Sequence, residues 1–434
     1  MDESLQEKLR RLGVKKGARD LKIPPPKPYA PLPMPAEEQP VSFRPPVAGD
    51  DDDIPVLEAL LPGGEVIETA VGSCFIVDRV YPLTYRHGDD LLGELLELSP
   101  EHTSLQDEQL RDLNFRHFLF LDTETTGLAG AGTLAFMVGV AFFADDAFVV
   151  RQYFLRDHGD EAAMLTLLND LLADKEGLVT FNGRSFDLPL LDGRYLINRM
   201  FSDLLDKPHI DLLHPARRLW RTRLGSCALS SLEKTLLGVH RTQEDIPGWL
   251  IPSLYQEYLR SGDARELLRV FYHNQIDMLS MVTLATRMTR LTAQTAANPH
   301  PIDQYSLGKW QADTGLHDAA EASLRMALAG DLPLEIYHQA LGRLGLLLKR
   351  QDRRDEAVPF WQQMAATSFD TVEAHVELAK YYEWHQVDLD TAVQWTEQAM
   401  TLAQSWGTHR FGIVRGELEH RLARLRRKQQ GLGG

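Results

Sequence analysis

Apolar and polar positions divide the chain into stretches of different rhythm. In the central stretch, short apolar runs alternate with segments of helical spacing. Phe118 to Leu121 is an apolar strand, and a second apolar stretch, Leu134 to Val150, contains Phe136 to Phe143, whose alternation around Gly139 suits a neighbouring strand. Val66 to Tyr85 mixes β-formers with Gly72 and reads as a hairpin or sheet edge, and Gly177 to Gly183 is a strand ending in a turn. Helical apolar spacing covers Glu161 to Leu172, Leu188 to Phe201, Leu229 to Leu237 and Ala264 to Thr289. Strand–helix alternation of this kind predicts a mixed α/β sheet flanked by helices.

Beyond about residue 296 the pattern becomes continuous helix with a loose internal repeat. The segments starting at Asp318, Asp355 and Asp390 recur at spacings of 37 and 35, and Leu307-Gly308, Leu344-Gly345 and Leu378-Ala379 supply small residues for a preceding helix. This resembles tetratricopeptide repeats, whose period is about 34 residues; a non-repeating helical bundle is the alternative. Ahead of the sheet, residues 1–16 space Leu5, Leu9 and Leu12 as a short amphipathic helix. Residues 23–47 are proline-rich, and Asp50 to Asp53 form an acidic run, together a disordered or polyproline segment. The expected domains are 1–54, 55–295 and 296–434.

Composition narrows the function classes. A chain of 434 residues, 44% hydrophobic, can bury more than one core. Neither a membrane-length apolar run nor a signal-peptide core is present, and two cysteines, Cys74 and Cys227, give no disulfide framework, so a reducing cytoplasm is expected. A formal charge of −16 weighs against a broad basic nucleic-acid surface but allows local ones. Arg217, Arg218, Arg221 and Arg223, interleaved with Trp220, are candidate substrate contacts or a solvated helix face. The basic tail, Arg421, Arg424, Arg426, Arg427 and Lys428, reads as a solvated face.

The candidate chemistry starts at Asp122 and Glu124. Residues i and i+2 of a strand point to one face, so the end of an apolar strand aims two carboxylates at one point. Such a pair repels itself without a cation, and hard divalent ions prefer oxygen ligands. Two further acids lie at element ends: Asp187, where a strand gives way to a helix, and Asp277, inside a helix with His273 four residues earlier on the same face. Four acids with a nearby neutral base describe a two-metal phosphodiester site, in which metal activates water and the base takes its proton. Carboxylates flanking a sugar would instead need opposed faces.

The phrases Leu121-Asp-Thr-Glu-Thr-Thr-Gly, Thr180-Phe-Asn-Gly-Arg-Ser-Phe-Asp, Asp211 to Trp220 and His273 to Asp277 resemble the DEDD exonuclease superfamily of the ribonuclease H-like fold. Within it the chain is similar to the YprB-like ribonuclease H-like proteins, in which such a domain precedes helical repeats. Ser226 to Glu233 and Asp245 to Gly248 add to the likeness, which covers about residues 65–290. The resemblance implies Asp122, Glu124, Asp187 and Asp277 as ligands of two divalent ions, Mg2+ or Mn2+. It also implies a metal-dependent 3′–5′ exonuclease acting on ends of single-stranded DNA or RNA. One departure is visible. Family branches place a His five residues before the last Asp or a Tyr four before it, whereas here Tyr272 and His273 fill those slots in exchanged order. His273 is the candidate base or water-orienting group; a helix histidine bonded to an acid or to backbone is the alternative.

Weaker candidates for substrate binding are Thr125, Thr126 and Gly127 at a terminal nucleotide, Asn182 at a sugar or water (or as a turn former), and Phe186 stacked on a base (or buried). Asp211 is a supporting acid or the N-cap of the next helix. The competing functions are a nucleic-acid-binding scaffold with little catalysis and an adaptor that works through its repeats towards a protein partner.

Overall fold

The computed structural model describes residues 57–105, 107–127, 132–242, 245–406 and 408–432. The expected helix over residues 1–16 and the proline-rich and acidic runs lie outside them. A helical turn, α1 (Leu57–Leu60), leads into β1 (Gly64–Thr69) and β2 (Gly72–Pro82), followed by a separate small hairpin, β3 (Arg86–His87) and β4 (Asp90–Leu91). Then come β5 (Phe118–Thr125), β6 (Ala135–Ala144), β7 (Ala147–Phe154), α2 (Glu161–Ala173), β8 (Gly177–Thr180), α3 (Asp187–Ile197) and β9 (His209–Asp211). The main sheet has seven strands in the order β1-β2-β7-β6-β5-β8-β9. Neighbours from β1 to β5 are antiparallel, while β5, β8 and β9 run parallel.

Alternation along β5 divides the core. Leu119 and Leu121 join one apolar cluster with Phe136 and Phe154, whereas Phe118 and Phe120 join the other with Phe148 and Ala141. Burial on both faces explains why these strands read as nearly unbroken apolar runs. The stretch from Leu134 holds a hairpin of two strands, turned at Asp145 with φ 44°, where one neighbouring strand was expected. Helices α4 (Leu213–Leu224), α5 (Leu229–Leu232), α6 (Ile251–Ser261) and the long α7 (Leu267–Thr292) follow, and α7 lies against β5, β6 and β7. The helix expected over Leu229 to Leu237 is one α turn followed by a π turn, Glu233–Leu237, which ends at Gly238.

The rest of the described chain is helical: α8 (Pro301–Asp313), α9 (His317–Ala329), α10 (Leu334–Arg350), α11 (Arg354–Thr367), α12 (Glu373–Trp384), α13 (Leu389–Gln404) and α14 (Thr408–Leu432). They pack as successive antiparallel pairs. Asp318, Asp355 and Asp390 each stand in the first turn of a pair's second helix. The small residues sit where helices touch: a Cβ on Gly308 would come within 2.9 Å of Leu324, and one on Gly345 within 2.3 Å of the Trp361 indole.

Two readings of basic residues change. Arg223 makes a bidentate ion pair with buried Asp303 on α8 (2.7 and 2.8 Å), Arg218 lies over the Trp310 ring at 5.7 Å, and Trp220 is buried. Those arginines clasp the helical region to the α/β domain; Arg217 and Arg221 stay exposed. The tail is not a simple solvated face either. Glu383, whose side chain is fully buried, accepts from Arg424 (2.6 Å) and Lys428 (2.8 Å), and Arg421 is buried beside it. A buried carboxylate demands such cations. Burial holds the Asp303 carboxyl above the ordinary range, opposed by Arg223. Arg223→Ala should therefore lower unfolding free energy by on the order of 3 kcal/mol, because it strands a buried charge. Arg217→Ala should change it by less than about 0.5 kcal/mol. Urea melts of both variants check this, and equal midpoints would remove the clasp from the account.

Candidate active site

The site forms where β5 outruns its parallel neighbour. β8 pairs with β5 only from Phe118 to Phe120, so the edge of β5 beyond that point is open. After Thr180 the chain turns away sharply. Asn182 takes φ 71°, and a Cβ on Gly183 would come within 2.5 Å of the Thr180 side chain. Asp211 pins the turn, accepting from the backbone N–H of Asn182 (2.9 Å), Arg184 (3.1 Å) and Leu213 (3.0 Å). It is a staple that shapes the loop and the start of α4. Asn182 serves as the turn former, with its side chain exposed.

That turn delivers Asp187 to the start of α3, where the helix dipole favours an acid. Asp187 Oδ1 then accepts from the Thr123 backbone N–H (3.1 Å) and hydroxyl (2.5 Å) on the open edge of β5. From the other side α7 brings Asn274, whose amide donates to Asp122 Oδ2 at 3.1 Å. Asn274 is itself fixed: Gln152 on β7 donates to its Oδ1 (3.0 Å) and to Phe271 O (2.8 Å), and Arg79 donates to Gln152 (2.6 Å). Gly139, paired with Asp122 across the sheet, makes the room, since a Cβ there would come within 2.0 Å of Asn274 Oδ1. Asn274 and Gln152 escaped the sequence reading; the glycine inside a strand was the available signal of a close approach.

Electrostatics bind the four acids into one system. Burial raises the Asp122 carboxyl well above its ordinary range, and Asp187 and Asp277 raise it further. Burial does the same to Glu124, reinforced by Asp122, Asp277 and Asp187 and opposed by Arg241. For Asp187, burial wins over the Thr123 hydrogen bonds and lifts the group from 3.8 to about 6. Asp277 is raised by burial but restrained by His273 and Arg241.

The fourth acid has a partner that sequence reasoning missed. Arg241, nearly buried, donates to Asp277 Oδ1, to both Glu233 oxygens (2.7 Å each) and to Asp245 Oδ1 (3.2 Å). His273 Nδ1 lies 2.8 Å from Asp245 Oδ1 and 3.2 Å from Arg241 Nη1, and its Nε2 lies 3.6 Å from Asp277 Oδ2. A carboxylate only accepts, so Nδ1–H donates to Asp245 and, in the neutral ring, leaves the Nε2 lone pair facing the acids. Tyr272 faces elsewhere: its hydroxyl accepts from the Thr242 backbone N–H at 3.0 Å.

The weaker candidates divide. The Thr125 hydroxyl donates to Gly127 O (2.8 Å), and the Thr126 hydroxyl accepts from Leu134 N–H (3.0 Å), so both shape the turn after β5. Gly127 closes that turn beside residues outside the described set, and Phe186 is half-buried at the start of α3.

Oxygen-only donors suit Mg2+ or Mn2+ by their chemistry. They are not closed into the expected cluster: among the described residues, no group of three or more His, Cys, Asp or Glu side chains is arranged to hold a metal ion. Asp277 spends an oxygen on Arg241 instead.

This fold and comparison with known proteins agree on the class. Residues 119–289 match the family model of the RNase_H superfamily, so the α/β half is a domain of that nuclease superfamily. The chain is 33% identical over 393 residues to "Uncharacterized protein YprB" of Bacillus subtilis (strain 168), covering 87% of this chain and 92% of that one. The chain belongs to the YprB family.

Because Asp187 titrates higher when folded, the folded state holds the extra proton, and this group's share of metal-free stability falls as pH rises from about 4 to about 6. Asp187→Asn keeps the acceptor oxygen without the charge. In EDTA it should be more stable than wild type by on the order of 2 kcal/mol near neutral pH, with the gap closing towards pH 4. Urea melts at both pH values check this; a gap that ignores pH would sink it.

Proposed function

We propose that the protein is a metal-dependent phosphodiester hydrolase of the DEDD type, working as a 3′–5′ exonuclease on single-stranded DNA or RNA ends. The observation that carries this reading is the trio Asp122, Glu124 and Asp187. These acids crowd one strand end with no hydrogen-bonded cationic side chain among the described residues, and burial raises all three. Such an arrangement calls for a hard cation. Asp122, Glu124 and Asp187, with Asp277, are the residues that would hold Mg2+ or Mn2+, which supplies Lewis acidity and neutralises charge on the phosphate.

The chain's own groups do the rest. His273, oriented through Nδ1–H by Asp245, offers Nε2 to take a proton from water entering the cleft. Asn274 and Thr123 keep Asp122 and Asp187 from turning away. Half-exposed Phe186 and exposed Asn182 are the candidates to stack on and hydrogen-bond a terminal nucleotide.

The helical region supports a second role. We read α8 to α14 as tetratricopeptide-like, with a cavity of about 1160 Å³ lined by Tyr305, Gln339, Arg343, Leu346, Lys349 and Phe369 as a seat for a protein partner. No helix among the described residues is long and apolar enough to cross a membrane. The Arg241–Asp277 pair favours the alternative of a nucleic-acid-binding scaffold.

Hydrolysis of end-labelled single-stranded DNA and RNA with Mn2+, Mg2+ or EDTA decides between them. The wild type should trim in metal alone, and Asp122→Ala/Asp277→Ala should lose at least about a hundredfold. His273→Ala should lose on the order of 10²-fold, as expected for an oriented base. A folded wild type that binds strands but never trims them would leave the scaffold reading.

A further inference from the structure

The acid cluster is not uniformly short of positive charge. On the α7 side, Arg241 is wedged among Glu233, Asp245, Asp277 and His273, and its Nε and both terminal nitrogens have partners. Its guanidinium cannot be deprotonated, so the charge is permanent. The backbone is built to bring it there. Glu233, buried, starts the π turn, and π turns are often found at functional sites. Gly238 then takes φ +68°, where a Cβ would come within 2.7 Å of Asp89 Oδ1, and folds the chain back so that Arg241 meets Glu233. Asp89 N–H closes on Leu237 O at 2.9 Å, and Tyr272 holds Thr242 N–H at 3.0 Å on the far side of the arginine.

The oxygens left over are unequal. Asp277 gives Oδ1 to Arg241 and turns Oδ2 towards His273. Asp122, Glu124 and Asp187 hydrogen-bond no cationic side chain among the described residues; the partners of Asp122 and Asp187 are the neutral groups of Asn274 and Thr123. These three acids are not arranged around one point as they stand, and would have to close on a hard ion that retains several waters. A second divalent ion at Asp277 would sit directly against the guanidinium.

We propose that Arg241 is the centre's second cation: it holds Asp277 permanently, so the acids take one divalent ion rather than two. Arg241 is thus a positioning residue, fixing Asp277 and, through Asp245, the ring of His273. This inference rests on the metal-dependent reading above and goes beyond it by assigning the ion count.

Mn2+ titration of the full chain, followed by the electron paramagnetic resonance of free Mn2+, tests it. Removing Arg241 alone would strand buried Glu233, so the informative variant is Glu233→Gln/Arg241→Gln, with Arg241→Lys as the conservative control and circular dichroism to verify folding. Wild type and Arg241→Lys should bind one Mn2+ per chain, and the double variant should gain a second. Two ions in the wild type would overturn the inference and leave the metal-dependent reading standing. One ion in both wild type and a folded double variant would also overturn it, since Asp277 would then be withheld by something else. No binding by any of them would remove both. If the double variant does not fold, the wild-type ion count alone still decides.

Discussion

Carboxylates at Asp122, Glu124, Asp187 and Asp277 cannot all be ionised side by side in a largely buried cleft without compensation, and the surrounding structure supplies it unevenly. Neutral donors handle one part: Asn274 on Asp122, and the Thr123 amide and hydroxyl on Asp187. These bonds orient the acids and pull their proton affinity down, yet burial still wins. A full cation handles the other part, Arg241 on Asp277. The gradient runs across the cleft, from a neutralised wall on α7 to an uncompensated strand end on β5. A site of this kind is destabilising when empty of cations, a cost proteins commonly carry where function needs crowded charge.

Reaching that arrangement requires the whole sheet. Asn274 can touch Asp122 only because Gly139 leaves a gap in β6 and because Gln152, one strand further, fixes the amide's orientation. Asp187 can reach Thr123 only because β8 stops early and Asp211 on β9 staples the turn. Each strand from β7 to β9 thus contributes one constraint to one end of β5. The helical region is tied to the same body: α4, which Asp211 starts, carries the Arg223 that grips Asp303 on α8.

Local features were legible in the sequence, and distant pairings were not. The β5 strand and its two acids followed from a short apolar run and the strand period, and the β1–β2 hairpin from β-formers around Gly72. Helix lengths were set less well. The segment beginning at Leu188 was read through to Phe201, but α3 ends at Ile197 and Arg199 takes φ 57°. Nothing periodic marks Arg241, which lies in a polar loop and meets Asp277 from 36 residues away. The basic residues misled for a related reason. A charged run looks solvated until a buried acid such as Glu383 or Asp303 is seen to claim it, and that acid lies on another helix.

Tyr272 and His273 both answer to the loop that carries the same arginine. Positions 273 and 277 lie one above the other on α7, so whichever residue stands at 273 faces the acids. Position 272 is rotated towards the loop that carries Arg241, and there a tyrosine hydroxyl reaches the Thr242 N–H. A tyrosine at 273 would give up the ring nitrogen that Asp245 accepts from. Asp245 in turn bonds Arg241 as well as His273, so loop, arginine and imidazole are held as one unit. Tyr272 and His273 are thus both tied to the loop that places a guanidinium beside Asp277, and the segments around Glu233 and Asp245 belong to the same device.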